Sequence, residues 1–150
     1  MRPANLPEAS EISRNCACFN LRKATRVVTQ MYDERLRPSG IRATQFTILV
    51  AVHSNQPVSV KHLADLIVMD RTTLARNLKP LARNGLIAIT PGEDRRVRHV
   101  ALTDRGQAVL ATALPLWEKT QEEVLQSLGA SRLAGLLNVL SMTVSAFRPA

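Results

Sequence analysis

The chain has 150 residues, 45% of them apolar and 21% charged, with a net charge of +8. That length fits one domain with or without a helical extension, and the apolar share is enough for a core, which excludes global disorder. Two cysteines exclude a disulfide framework and suit a reducing cytoplasm, and no uninterrupted apolar run reaches the roughly eighteen residues of a membrane span.

The opening MRPANLPEAS lacks the hydrophobic segment of a secretory signal, so residues 1–11 read as a disordered tail. Ile12–Leu36 carries a long helical pattern that stops before Pro38-Ser39-Gly40. Its apolar residues cover two faces, Cys18, Leu21, Val28, Tyr32 and Leu36 on one and Phe19, Val27 and Met31 on another. A helix apolar on two sides sits between its own domain and a partner. Thr44–Ser54, with FTILVAV at its centre, is a second and strongly apolar helix.

Ser59 is an N-cap for a short helix through Leu63 to Leu66 or Ile67, and Val68-Met69 makes a tight turn. Asp70 caps the next helix, which buries Leu74, Leu78 and Leu81 and stops at Asn84-Gly85. Pro80 lies inside it and bends it near Arg76. LIAIT (86–90) and VRHVAL (97–102) alternate as strands around a Pro91-Gly92 turn, giving a hairpin whose charged tip, Gly92–Arg96, stands in water. Thr103 or Asp104 opens a long helix to Leu128, with a kink expected at Pro115. Gly129 ends it, and Ser131–Phe147 is the last helix.

The fold expected from this order is mainly α with a small β-wing, a winged helix-turn-helix over residues 38–102. Residues 12–37 and 103–150 form a helical dimerisation region, because their leucine-rich helices carry more apolar surface than one small domain covers. A two-fold dimer would match a palindromic operator.

The charge has a location. Residues 12–37 hold six cations against two anions and residues 59–106 nine against five, while the rest balances at five against five. A phosphate backbone is the default partner for such a field. With the leucines of the second short helix inward, Arg71, Thr72, Thr73, Arg76, Asn77 and Lys79 face outward, residue types that reach base edges and phosphates. At the wing, Arg96 is placed for a minor groove, with Arg95 and Arg98 nearer phosphates. Asp94 repels DNA and is expected to orient an arginine guanidinium instead.

GIRATQFTIL, DRTTLARNLKPLARNGLI, the Asp94-Arg95-Arg96 wing and LTDRG together resemble the MarR family of bacterial transcription regulators, over Cys16 to the C-terminus. The resemblance implies an obligate homodimer with interleaved terminal helices, repressing a neighbouring operon until a small ligand or thiol oxidation releases it. CFNLRKATRVVTQMYDERL is similar in spacing to the first helix of the hydroperoxide-sensing OhrR branch, which puts Cys18 on the reactive cysteine and Tyr32 on the tyrosine that holds it. Arg22 stands where that branch has a further tyrosine. The plainer reading makes Cys18 a small apolar residue of the helix stripe.

Cys16 and Cys18, two apart on one continuous helix, would face opposite sides and share no metal. His53, His62 and His99 fall in three elements without ligand spacing, so no metal and no cofactor are expected. Catalytic signatures such as GxSxG, HExxH or a P-loop are absent, so the chain is not expected to be an enzyme. A ligand cleft is expected where the dimer layer meets the winged domain, near Arg22 and Arg26, which suggests an anionic effector. The competing reading is a winged-helix module for protein interaction or DNA architecture, without an effector.

Overall fold

A computed structural model of the chain describes residues 9–148. Residues 1–8 of the expected tail lie outside the described residues, and the remainder of it is helical: α1 spans Ala9–Asn15. The long first helix is therefore two helices. The chain breaks at Cys16, whose extended backbone makes it the N-cap of α2, Ala17–Leu36. Its Sγ accepts a hydrogen bond from Phe19 N at 3.4 Å. Asn20 secures the junction by donating through Nδ2 to the Ser13 and Cys16 carbonyls, both at 2.9 Å. Periodicity missed the break because apolar spacing runs on across it.

A 3-10 turn, Arg37–Ser39, follows, and Gly40 at φ 78° supplies the left-handed residue that ends it. Next come α3 (Ala43–Asn55), β1 (Val58–Ser59), α4 (Val60–Leu66), α5 (Arg71–Arg83), β2 (Ile87–Pro91), β3 (Arg98–Leu102), α6 (Asp104–Leu128) and α7 (Ala130–Phe147). The sheet is antiparallel in the order β1-β3-β2, with Ile87 opposite Leu102, Ile89 opposite Val100 and Pro91 opposite Arg98. The two-residue β1 pairs Val58 with Val100 and Ser59 with His99. It is too short for any periodicity to signal, and it ties the start of α4 to the wing.

The core lies between α3, the two short helices and the hairpin. Ile48, Leu49, Val52, Leu63, Leu74, Leu81 and Val100 are fully buried there, and Leu36 extends the core to α2. Strand alternation puts Ile87, Val100 and Leu102 in this core, while Ala88 and Thr90 face out.

The end of the hairpin is fixed to α6 by LTDRG. Thr103 Oγ1 caps α6 by accepting from Gly106 N at 3.0 Å and donates to the Gly85 carbonyl. Thr103 N donates to the Leu86 carbonyl at 3.1 Å. Gly106 is needed for space here, not for conformation. A Cβ there would overlap the Leu86 carbonyl oxygen and stand 2.9 Å from its carbon.

At the far end the packing runs out. No residue of α7 is buried in the single chain, and Leu136, Leu137, Val139, Met142 and Phe147 are all exposed. Exposed Phe19, Val27, Val28, Leu125 and Leu128 extend this apolar surface over α2 and the end of α6. By length and composition α7 could cross a membrane, with a mean hydropathy of 1.2 over its 18 residues. Length and composition are the whole of that likeness; what the structure shows is that α7 has no buried residue within the single chain. Ser131, Arg132, Asn138, Ser141, Thr143 and Ser145 punctuate α7, a composition suited to a packed helix seam.

Candidate nucleic-acid interface

α4 and α5 form the helix pair that the sequence predicts, each with the expected cap. Ser59 Oγ accepts from His62 N at 3.1 Å, and Asp70 Oδ1 accepts from Thr73 N at 2.9 Å. The hydrogen bonds from Thr73, side chain first and backbone second, hold the Asp70 carboxyl below its ordinary value of 3.8. The turn between the helices places Val68 at φ 53°, a left-handed backbone that a β-branched residue rarely adopts. Gly85, at φ 71°, ends α5 as expected of a glycine stop.

Leu74, Leu78 and Leu81 point into the core, which turns Arg71, Thr72, Thr73, Arg76 and Lys79 to the surface. Asn77 differs from the expected base reader. It is half-buried, and its Nδ2 donates to the Thr73 carbonyl at 2.8 Å with Met69 Sδ at 3.8 Å. The side chain is tied to its own helix and braces the turn residue Met69. Pro80 leaves the Arg76 carbonyl without its helical donor, yet α5 continues to Arg83.

Arg95, Arg96 and Arg98 are all exposed on the wing. Asp94 orients the wing in another way than expected. Its Oδ1 accepts from Arg96 N at 2.9 Å, an Asx turn, rather than from a guanidinium. Val97 N donates to the Asp94 carbonyl at 2.8 Å and Gly92 N to the Val97 carbonyl at 2.7 Å, closing the tip. The carboxylate thus shapes the loop that carries the arginines and leaves their side chains free. Gly92 allows the His99 ring close to the backbone: a Cβ would stand 2.7 Å from it.

Between α4, α5 and the wing runs a groove of about 500 Å³, lined by Arg71, Lys79, Arg96 and Arg98 and also by Lys61. Lys61 escaped sequence reasoning because nothing local separates it from a solvated surface lysine; the only signal is its place in the positive segment.

The effector residues are less well gathered. Arg26 lines an open cleft of about 810 Å³ with Asp33, Glu34, Arg37 and Arg42, a mixed rather than cationic lining, and Arg22 is not part of it. A separate cavity of about 530 Å³ lies under α2, lined by Val28, Tyr32, Phe46, Val50, Leu114 and Trp117 among others, with no charged residue. Phe46 and Trp117 stack there, ring centres 6.1 Å apart, and burial pushes the Tyr32 phenol above its ordinary value. Cys18 is exposed and lies fourteen residues before Tyr32 on the same helix, about 21 Å away at 1.5 Å per residue. One chain does not bring them together. The helix break also removes the opposite-face geometry expected of the two cysteines, since Cys16 caps α2 from outside it.

Residues 39–97 match the profile of the MarR family. The fold superposes on the M. tuberculosis transcriptional regulator MosR in complex with DNA with a TM-score of 0.78 and 38% identity, over 90% of this chain and 100% of that one. The chain belongs to the MarR family of transcription regulators. The same fold is seen in the transcriptional repressor CouR bound to a 23-mer DNA duplex, at 24% identity and TM-score 0.80 over 93% of this chain and 99% of that one. It is seen again in a mutant MarR from E. coli with operator DNA, at 23% identity and TM-score 0.80 over 89% and 97%.

Proposed function

We propose that this MarR-family regulator works in the cytoplasm as a homodimeric repressor whose two recognition helices read a palindromic operator. Residues 38–102 bind DNA, and residues 12–37 with 103–150 join the two copies. The observation that carries this reading is the outward face of α5, cationic and free of carboxylates after its cap, beside an arginine-bearing wing shaped by Asp94. α5 reads base edges through Arg71, Thr72, Thr73 and Arg76, Lys79 meets phosphate, and the wing follows the flanking minor groove. The exposed apolar face of α2, the end of α6 and all of α7 is covered by the same face of a second copy. The work done is binding, not catalysis.

Release follows from occupying the uncharged cavity between α2, α3 and α6. Its aromatic walls, with the Tyr32 hydroxyl as a polar handle, favour a flat, largely apolar ligand over the anion that Arg22 and Arg26 suggested. Oxidation of Cys18 is the second reading, supported by its exposure in the first turn of α2.

Titrating the protein into the promoter DNA beside its own gene tests the core of this reading. The expected result is one dimer per site, with scrambled duplex bound far more weakly. Equal affinity for both duplexes would favour the architectural module instead.

A further inference from the structure

The groove between α4, α5 and the wing has a composition that folding alone does not account for. Five cations converge on it, Lys61, Arg71, Lys79, Arg96 and Arg98, and no carboxylate lines it among the described residues. Arg35 forms an ion pair with Glu123 at 2.9 Å, and no such pair offsets any of the five groove cations among the described residues. Like charges gathered over an apolar floor, here Leu78 and Ile89, repel one another and weaken the folded state. Such an arrangement is relieved by a polyanion.

Lys61 differs from the other four in its support. It sits in the first turn of α4, and β1 fastens that turn to β3 through Ser59 opposite His99. Ser59 also caps α4 by accepting from His62 N. Lys61 is therefore held in fixed relation to the wing strand as well as to the recognition helix, whereas Arg96 stands on the loop. We propose that Lys61 is a DNA-backbone contact: it closes the groove into a clamp that seats one phosphodiester between the recognition helix and the wing, and so sets how deeply α5 enters the major groove. The inference rests on the DNA-binding reading above.

Lysine suits the task because a point charge on a flexible stem neutralises a phosphate without selecting a base. Loss of one phosphate contact flattens the dependence of log K on log salt by about 0.9, hence by about 1.8 for the two Lys61 of a dimer. The experiment is a salt titration of operator binding by wild type, Lys61→Gln, Lys61→Arg and, as a charge-matched control outside the groove, Lys119→Gln, each checked for an unchanged melting profile.

Lys61→Gln is expected to flatten the slope by about 1.8 and to weaken operator and non-specific duplex by the same factor, with Lys61→Arg restoring both. A slope for Lys61→Gln equal to wild type, or to Lys119→Gln, overturns the clamp while leaving the regulator reading intact. Weakening confined to the operator would also overturn it, since Lys61 would then read a base. If the wild-type protein shows no salt-dependent DNA binding at all, the DNA-binding reading falls, and the clamp with it.

Discussion

Gly106→Ala is the substitution whose outcome most sharply tests how the wing is held. In a solvent-exposed helix interior the change would stabilise by about 1 kcal/mol, because alanine is the better helix former. At this position the new methyl would occupy the space of the Leu86 carbonyl oxygen, and the obstacle is backbone rather than a mobile side chain. The first turn of α6 must move off β2, which costs about 1–3 kcal/mol as overpacking. That movement also stretches the bonds from Thr103 to the Gly85 and Leu86 carbonyls, each worth about 1 kcal/mol. The net expectation is a loss of about 2–4 kcal/mol, and with about 2–4 °C of melting temperature per kcal/mol for a chain of this size the midpoint falls by roughly 10 °C. The assay is thermal and urea unfolding at one fixed protein concentration, because a dimer's stability depends on concentration. A variant that melts with or above the wild type would refute the role assigned to this contact.

Other substitutions probe separate elements. Asp70→Ala removes the cap of α5 and should lower the melting temperature near neutral pH. Because the folded carboxyl lies below its ordinary value of 3.8, its contribution is complete above that value and lost as pH falls through the depressed one, so wild type and variant should converge in acid. Val68→Asn relieves a left-handed backbone that valine tolerates poorly, and denaturant unfolding should show a gain of about 1 kcal/mol. Cys16→Ser keeps or improves an N-cap and should bind the operator normally. Cys18→Ser should also bind, and if thiol oxidation is the trigger it alone should stay bound when hydroperoxide is added; a wild-type complex indifferent to oxidant leaves the apolar cavity as the release site.

What was legible in the sequence was what local chemistry encodes. Ser59, Asp70 and Gly85 mark helix ends by capping and left-handed backbone, and each performs that role in the structure. The leucine spacing of α5 likewise suffices to set which of its side chains face outward, whereas β2 runs on through Pro91, opposite Arg98, and the hairpin turns only after it. The break at Cys16 was hidden because a cysteine is a weak cap and the apolar stripe continues through it. β1 has two residues, so only its pairing with β3 reveals it. Asn77 has the residue type of a base contact and Asp94 that of a guanidinium partner, but their bonding is decided by neighbours, the Thr73 carbonyl and the Arg96 amide. The uncharged cavity draws its walls from α2, α3 and α6, and Lys61 joins its groove through β1. Such convergence leaves no trace in any one window of sequence.

Selection of bound duplexes from a random DNA library, by the wild type and by Arg76→Ala in parallel, tests the central claim most directly. The wild type should enrich an inverted repeat whose half-sites lie about one helical turn apart. The variant should lose about 1–3 kcal/mol on that repeat and relax its preference at one position in each half-site. A wild-type protein that enriches no sequence, or an Arg76→Ala variant that enriches the same repeat with undiminished preference, would contradict the assignment of α5 as a base-reading helix.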